Sequence, residues 1–323
     1  MSRPKNENEI IARFAKIFPD SKSRTVDLAL GDDAALWHAR TGYQVVLTCD
    51  WFLEDSHFLL DKNPADAVGW KCLARAVSDI AAMGGQPGCF LLSIALPSGL
   101  TGKWFDGFLR GLKRASLALR CELAGGDTTR REKVLINVAV VGEVRRGHAL
   151  RRSGAGVGDA LFVSGRLGEA DAGLEELRRR KGAVRETNAN LRKHLYPEPR
   201  LALGKWLAEQ RLATAAMDLS DGLSSDLPRL CAASRVGARV DADSLPLVRG
   251  RHRTHALRLA LHGGDDYELL FTVAKNDVER VPRAYRGLKL TRIGEITSTK
   301  RVLVRRDGQT RPLTAGGWDP FRK

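Results

Sequence analysis

The 323-residue chain has no CxxC pair, and its five cysteines (Cys49, Cys72, Cys89, Cys121 and Cys231) are odd in number and scattered. That excludes a disulfide framework and a cysteine zinc site, and it fits a reducing, cytoplasmic setting. No apolar run reaches the roughly 18 residues needed to cross a bilayer. The opening stretch, MSRPKNENEI, lacks the apolar core of a signal peptide. The common catalytic signatures are also missing: no GxxxxGK[ST], no HRD/DFG pair, no GxSxG and no HExxH. The glycines of SGAGVGD do not fit GxGxxG. No short repeat or low-complexity segment occurs, which excludes a solenoid.

What remains is an ordinary globular composition, 43% apolar and 28% charged. The length favours two domains. Against 38 acids stand 53 bases, a formal charge of +15, which favours anionic partners: nucleic acid, a membrane surface or phosphorylated small molecules. A nucleic-acid-binding protein interleaves its bases with aromatics. The basic runs RRGHALRR and RRRK have none, so that reading is the weaker one.

Periodicity supplies the elements. ENEIIARFAKIF, NPADAVGWKCLARAVSDIAAMGG and TGKWFDGFLRGLKRASLAL have helical spacing, while YQVVLTCD, GCFLLSIALP and KVLINVAVVGEV read as strands. The composition turns to bases and glycine around RRGHALRRSGAGVGD, which places a domain boundary near residue 148. Beyond it come strand ALFVSG, helices near EADAGLEELRRRK and RLALGKWLAEQ, strand TAAMDLS and helix SSDLPRLCAAS. Strands ARVDAD, YELLFTV, LKLTRIGEI and RVLVRR complete the half. Strands and helices mix without the strict alternation of a doubly wound sheet, so the expected class is α+β in two domains, 1–148 and 149–323.

Several carboxylates sit where none is expected. Asp32 and Asp33 precede a short apolar run, Asp50 ends an apolar strand, and Asp79 lies inside an apolar helix. Asp127 follows two glycines at a strand end. MDLSDGLSSDL holds Asp218, Asp221 and Asp226 with no base inside the stretch, and LHGGDDYELLF holds Asp265, Asp266 and Glu268. Each alone has a plain reading as a cap, a turn residue or half of an ion pair. Together they suit a divalent cation, because buried carboxylates need a counter-charge and Mg²⁺ takes carboxylate oxygens together with substrate phosphates.

GDDAAL, TCDWFLEDSHF, VSDIAAMGG, LAGGDTT, RRSGAGVGD, MDLSDGLSSDL and GGDDYELLF follow in that order. The set resembles the thiamine-monophosphate kinase family of the aminoimidazole-ribotide synthase-like superfamily, from about Asp27 to Phe321. The resemblance implies two α+β domains, the N-terminal one binding ATP and Mg²⁺ and forming a homodimer interface, with ATP and several Mg²⁺ ions in a cleft between the domains. It implies ATP-dependent, in-line phosphorylation of thiamine monophosphate to thiamine diphosphate without a phosphoenzyme. The implied metal ligands are Asp33, Thr48, Asp50, Asp79, Asp127, Asp218 and Asp221. The implied ATP contacts are Gly126, Asp127, Arg152 and Ser220, and the implied substrate contacts are His57, Asp265 and Trp318. No general base is needed, because the acceptor phosphate is already ionised. Asp226 has no implied role and reads as a first-turn acid favoured by the helix dipole.

Two positions depart from the family pattern. Cys49 replaces a hydroxyl residue, and a thiol is a poor Mg²⁺ ligand. Asp265 replaces a glutamate, which shortens the reach of that carboxylate. A sibling ATP-dependent activity on another small molecule stays open at this level. Two siblings fit less well: the first 48 residues carry no cysteine, as a selenophosphate synthetase would require, and the chain ends DPFRK rather than in the cysteine of hydrogenase-maturation relatives.

Overall fold

Helix α1 (Glu7–Ile17) is amphipathic and lays Phe14 edge-on against Phe105, with ring centroids 5.4 Å apart. The structure is a computed structural model that describes residues 7–18, 25–28, 34–182 and 188–321. It divides into one unit of residues 1–80, 85–146 and 177–186, and a second of residues 81–84, 147–176 and 187–323.

In the first unit, β1 (Val26–Leu28) and β2 (Leu36–Trp37) form a small antiparallel pair. The main sheet uses β3 (Tyr43–Leu53), β4 (Gln86–Leu96), β5 (Glu122–Arg130) and β6 (Leu135–Arg145), in the order β3-β6-β4-β5. Helix α2 (Ala65–Ala82) lies between β3 and β4 in sequence, and α3 (Lys103–Leu119) connects β4 to its parallel neighbour β5. One sheet face is buried through Leu92, Ile94, Ile136, Val138 and Val140. Alternation puts Leu47, Trp51 and Leu91 on the other face, where they are 72%, 57% and 41% exposed.

The α2–α3 contact runs through glycines. A Cβ on Gly69 would meet the Phe108 carbonyl oxygen at 2.1 Å, and one on Gly111 would meet the Asp66 carbonyl oxygen at 1.8 Å. The helices therefore touch backbone to backbone.

The second unit contains β7 (Ala160–Ser164), α4 (Glu169–Arg179), α5 (Ala189–Leu195), α6 (Leu201–Glu209), β8 (Ala213–Asp218), α7 (Leu223–Ser234) and β9 (Gly237–Asp241). Then come α8 (Arg253–His262), β10 (Leu269–Val273), β11 (Ala284–Tyr285), β12 (Leu288–Thr297), β13 (Val302–Arg306) and β14 (Gln309–Pro312). The sheet order is β14-β13-β9-β12-β7-β10-β8, with β11 on β12. Alternate residues of the central strands enter two cores. Leu161, Val163, Met217 and Leu270 pack with Leu227 and Leu230 of α7 and Leu257 and Leu261 of α8. Phe162, Ala216, Leu269 and Phe271 pack with Leu203 and Leu207 of α6. Both faces are covered, so β7 and β10 are buried at every position, which explains their unbroken apolar runs.

Two expected strand ends lie inside strands. Asp50 is followed by three more residues of β3, and Asp127 lies in the middle of β5. The strand runs on through the glycines expected near its end, and Gly126 is there for close approach: a Cβ would meet the Leu92 carbonyl oxygen at 1.9 Å.

Replacing Gly111 by alanine should cost about 1–3 kcal/mol, the usual range for overpacking. Urea unfolding followed by tryptophan fluorescence measures it; an unchanged midpoint would contradict the backbone contact.

Candidate active site

In the first unit, β3 and α2 bring two expected ligands together: the Thr48 hydroxyl donates to the Asp79 carboxylate. Asp50 lies on the same sheet face as Thr48, two residues on. Its carbonyl accepts from Asn137 Nδ2 at 3.3 Å, while the neighbouring Cys49 Sγ lies 3.2 Å from Asn137 Oδ1 on the opposite face. His57 is fixed by its own turn, since the Leu53 N–H donates to Nδ1 at 2.9 Å. A neutral ring accepting there carries its proton on Nε2. The ring packs against Phe52 at 5.8 Å, and the Arg75 guanidinium lies over that Phe52 ring at 5.3 Å.

Asp127 stands apart from this group. Asp127 is in register with Ser93, Asn137 and Trp51, whereas Asp50 is in the next row with Val138, Leu92 and Gly126. Adjacent rows point to opposite faces, so Asp127 shares the face of Trp51. Asp33 lies outside the described residues.

In the second unit, β8 ends at the buried Asp218, and the turn 219–222 leads into the N-terminus of α7. Three backbone bonds of 2.8 Å join this turn to the segment before β10: Leu219 N–H to the Glu268 carbonyl, Tyr267 N–H to that of Leu219, and Asp265 N–H to that of Ser220. Ser220, Asp221 and Asp265 are thereby brought together. Asp265 adopts a left-handed φ of 66° and accepts from the Tyr267 hydroxyl at 2.7 Å. The Trp318 N–H donates to the Asp221 carbonyl at 2.9 Å. Arg152 is anchored elsewhere, its carbonyl accepting from Ser234 at the far end of α7.

MDLSDGLSSDL has no base of its own, but two of its three acids find one just beyond it: Arg229, two turns into α7, donates Nη1 to Asp221 at 2.5 Å and to Asp226 at 2.8 Å. Asp226 does stand in the first turn of α7, but it has a structural role that the sequence pattern does not assign. It is fully buried, and its Oδ2 accepts from the Ser220 and Asp221 N–H groups at 3.1 and 3.0 Å. Burial, with Asp221 beside it, pushes its carboxyl up to about 7 against the lowering effect of the Asp221 and Gly222 N–H groups and Arg229.

The other acids of GGDDYEL are also structural. Asp266 accepts from the Gly168 and Ala170 N–H groups at 2.6 and 3.1 Å, capping α4. Glu268 is clamped by Lys193 and Arg200 and accepts from the Ser164 hydroxyl. Burial alone would raise its carboxyl, but the two cations outweigh burial and hold it at about 2.

Two family models match, the AIR synthase related protein N-terminal domain over residues 31–144 and the C-terminal domain over 156–307. The thiamine-monophosphate kinase of Salmonella typhimurium is 37% identical, over 98% of this chain and 98% of its own length. The chain belongs to the thiamine-monophosphate kinase family. The crystal structure of the family member from Stenotrophomonas maltophilia K279a is 37% identical, with a TM-score of 0.79 over 94% of this chain and 95% of that one. The structure of AaThiL complexed with AMPPCP and TMP is 34% identical, with a TM-score of 0.76 over 99% and 100%. Both family domains are of mixed α/β content here, in agreement with the two-domain α+β expectation.

Among the described residues, no three His, Cys, Asp or Glu side chains converge where they could hold a metal ion. The family's expected donors are all oxygen, carboxylates and the Thr48 hydroxyl, the chemistry that suits Mg²⁺ carried on phosphates rather than held in an all-protein cage.

Glu268→Gln should destabilise the protein by about 3–5 kcal/mol at neutral pH, because Lys193 and Arg200 are left with an uncharged partner. The folded carboxyl titrates at about 2 and the unfolded one near its ordinary 4.5. The stabilisation is therefore complete above about 4.5 and fades as pH falls towards 2. Unfolding free energies of the two proteins between pH 6 and pH 2 should converge; a constant gap would refute the pairing.

Proposed function

We propose that this chain transfers the γ-phosphoryl group of ATP to the phosphate of thiamine monophosphate, giving thiamine diphosphate and ADP. The observation that carries the reading is near-full-length similarity to thiamine-monophosphate kinases, including the relative complexed with AMPPCP and TMP. Within that reading, residues 1–148 form the ATP- and Mg²⁺-binding domain and residues 149–323 the second domain.

Ser220 and Asp221 precede the N-terminus of α7, whose dipole favours phosphate, and the Asp226 carboxylate fixes their backbone so that the Ser220 hydroxyl is offered to the nucleotide. Gly126, Asp127 and Arg152 complete the nucleotide contacts, the guanidinium offering paired donors to phosphate oxygens. On the acceptor side, His57 has its ring held so that Nε2–H is the donor, and Asp265 and Trp318 flank the 219–222 turn. Asp33, Thr48, Asp50, Asp79, Asp218 and Asp221 are the proposed Mg²⁺ ligands, with Asp127, on the opposite face of the sheet from Asp50, serving a separate ion. When bound, the ions neutralise the charge that keeps two phosphate-bearing substrates apart. The acceptor oxygen arrives ionised, so the protein's task is to align donor and acceptor in line.

The face carrying Leu47, Trp51 and Leu91 supports a homodimer through the four-stranded sheet, since exposed apolar patches of this kind mark interaction surfaces. Five free cysteines suit the cytoplasm. No helix among the described residues is long and apolar enough to cross a membrane.

Purified protein given Mg²⁺, ATP and thiamine monophosphate should form thiamine diphosphate, read by chromatography. Asp218→Asn should reduce turnover at least about 100-fold, the scale of losing a preorganised electrostatic group, with unfolding unchanged. Intact activity in that variant would sink the ligand assignment. Trp51→Glu should shift the protein to a monomer in light scattering; a dimer that persists would place the interface elsewhere.

A further inference from the structure

Past β14 the chain has no helix or strand among the described residues, yet residues 315–318 are held against the start of α7. The Gly316 N–H donates to Ser224 Oγ at 3.1 Å, and that oxygen lies 2.9 Å from His262 Nδ1. Burial and nearby Arg258 lower the His262 pKa, so the ring is neutral near pH 7. With the ring proton on Nε2, the Ser224 hydroxyl accepts from Gly316 and donates to Nδ1. Ser224 itself is fully buried. Two residues on, the Trp318 N–H donates to the Asp221 carbonyl at 2.9 Å.

Both glycines are required by space. A Cβ on Gly316 would sit 2.6 Å from His262 Nδ1, and one on Gly317 would sit 2.0 Å from the Asp221 carbonyl oxygen and 2.6 Å from Ser225 Oγ. The tail thus lies main chain against main chain on the turn that carries Ser220 and Asp221. Trp318, at 47% exposure, offers a large part of its surface to solvent beside that turn.

We propose that Ser224 and His262 are positioning residues, a clasp that fixes the 315–318 tail on the 219–222 turn and thereby sets affinity for the acceptor, a phosphate ester bearing an aromatic ring. The proposal rests on the thiamine-monophosphate reading. The clasp bears on the acceptor because the residue it presents is an indole. A nucleotide phosphate draws on N–H groups and cations, which the clasp does not supply.

The test uses the full chain with Ser224→Ala, Gly316→Ala, His262→Ala and the Gly316→Ala/His262→Ala pair. Loss of one buried hydrogen bond predicts a rise of up to about tenfold in KM for thiamine monophosphate. KM for ATP and kcat should stay within about twofold. Chymotryptic cleavage after Trp318, followed by mass spectrometry, should speed up in the same variants, because proteolysis reports local release of the segment. The paired variant should be no worse than His262→Ala alone, since removing the imidazole makes room for the new Cβ. Equal rises in both KM values, or unchanged acceptor KM with unchanged cleavage, would overturn the clasp. A wild-type protein that makes no thiamine diphosphate would overturn the activity reading and the acceptor role with it, while the cleavage rates still decide whether the clasp exists.

Discussion

The carboxylate of Asp226 holds the second unit's candidate site in shape. It lies beneath the 219–222 turn, takes the N–H groups of Ser220 and Asp221, and shares Arg229 with Asp221. Without it, two backbone donors at the head of α7 would face a buried space with no acceptor, a cost of about 1–3 kcal/mol for each unsatisfied group. The turn in turn supplies the carbonyls that receive Tyr267, Asp265 and Trp318. One side chain therefore fixes the loop on which two other segments are built.

The same economy governs the rest of this unit. The acids of GGDDYEL divide by depth: Asp265 stands at the turn, Asp266 caps α4, and Glu268 neutralises Lys193 and Arg200. A strongly basic chain thus commits some of its cations to internal pairs. Arg229, Lys193 and Arg200 brace carboxylates and are not simply solvated surface charge.

Much of this was legible in the sequence. The amphipathic stretches became α1, α2 and α3, and the apolar runs of the second half became β7, β8, β9, β10, β12 and β13. Helix α8 was not, because RTHALRLALH mixes bases with leucines and buries its apolar side in a core assembled from distant strands. Strand β5 was read as ending near its glycines, whose reason is an approach to β4 that no local pattern shows. The acceptor role of Asp226 was hidden for a related cause: it depends on how the preceding turn folds back over α7. The partners of Glu268 lie 75 and 68 residues away in sequence, beyond the reach of spacing arguments. Asp50 and Asp127 looked like equivalent strand-end acids, and only the register separates them onto opposite faces.

The glycine contacts between α2 and α3 have a geometric consequence. Where side chains separate two helices, a substitution can be absorbed by a small slide or a new rotamer. Here main-chain atoms meet at Gly69 and Gly111, and main chain has no smaller form to adopt. The helix that bears Asp79 is seated against a hard stop, so the contact between Asp79 and the Thr48 hydroxyl is gauged by the thickness of the peptide backbone itself.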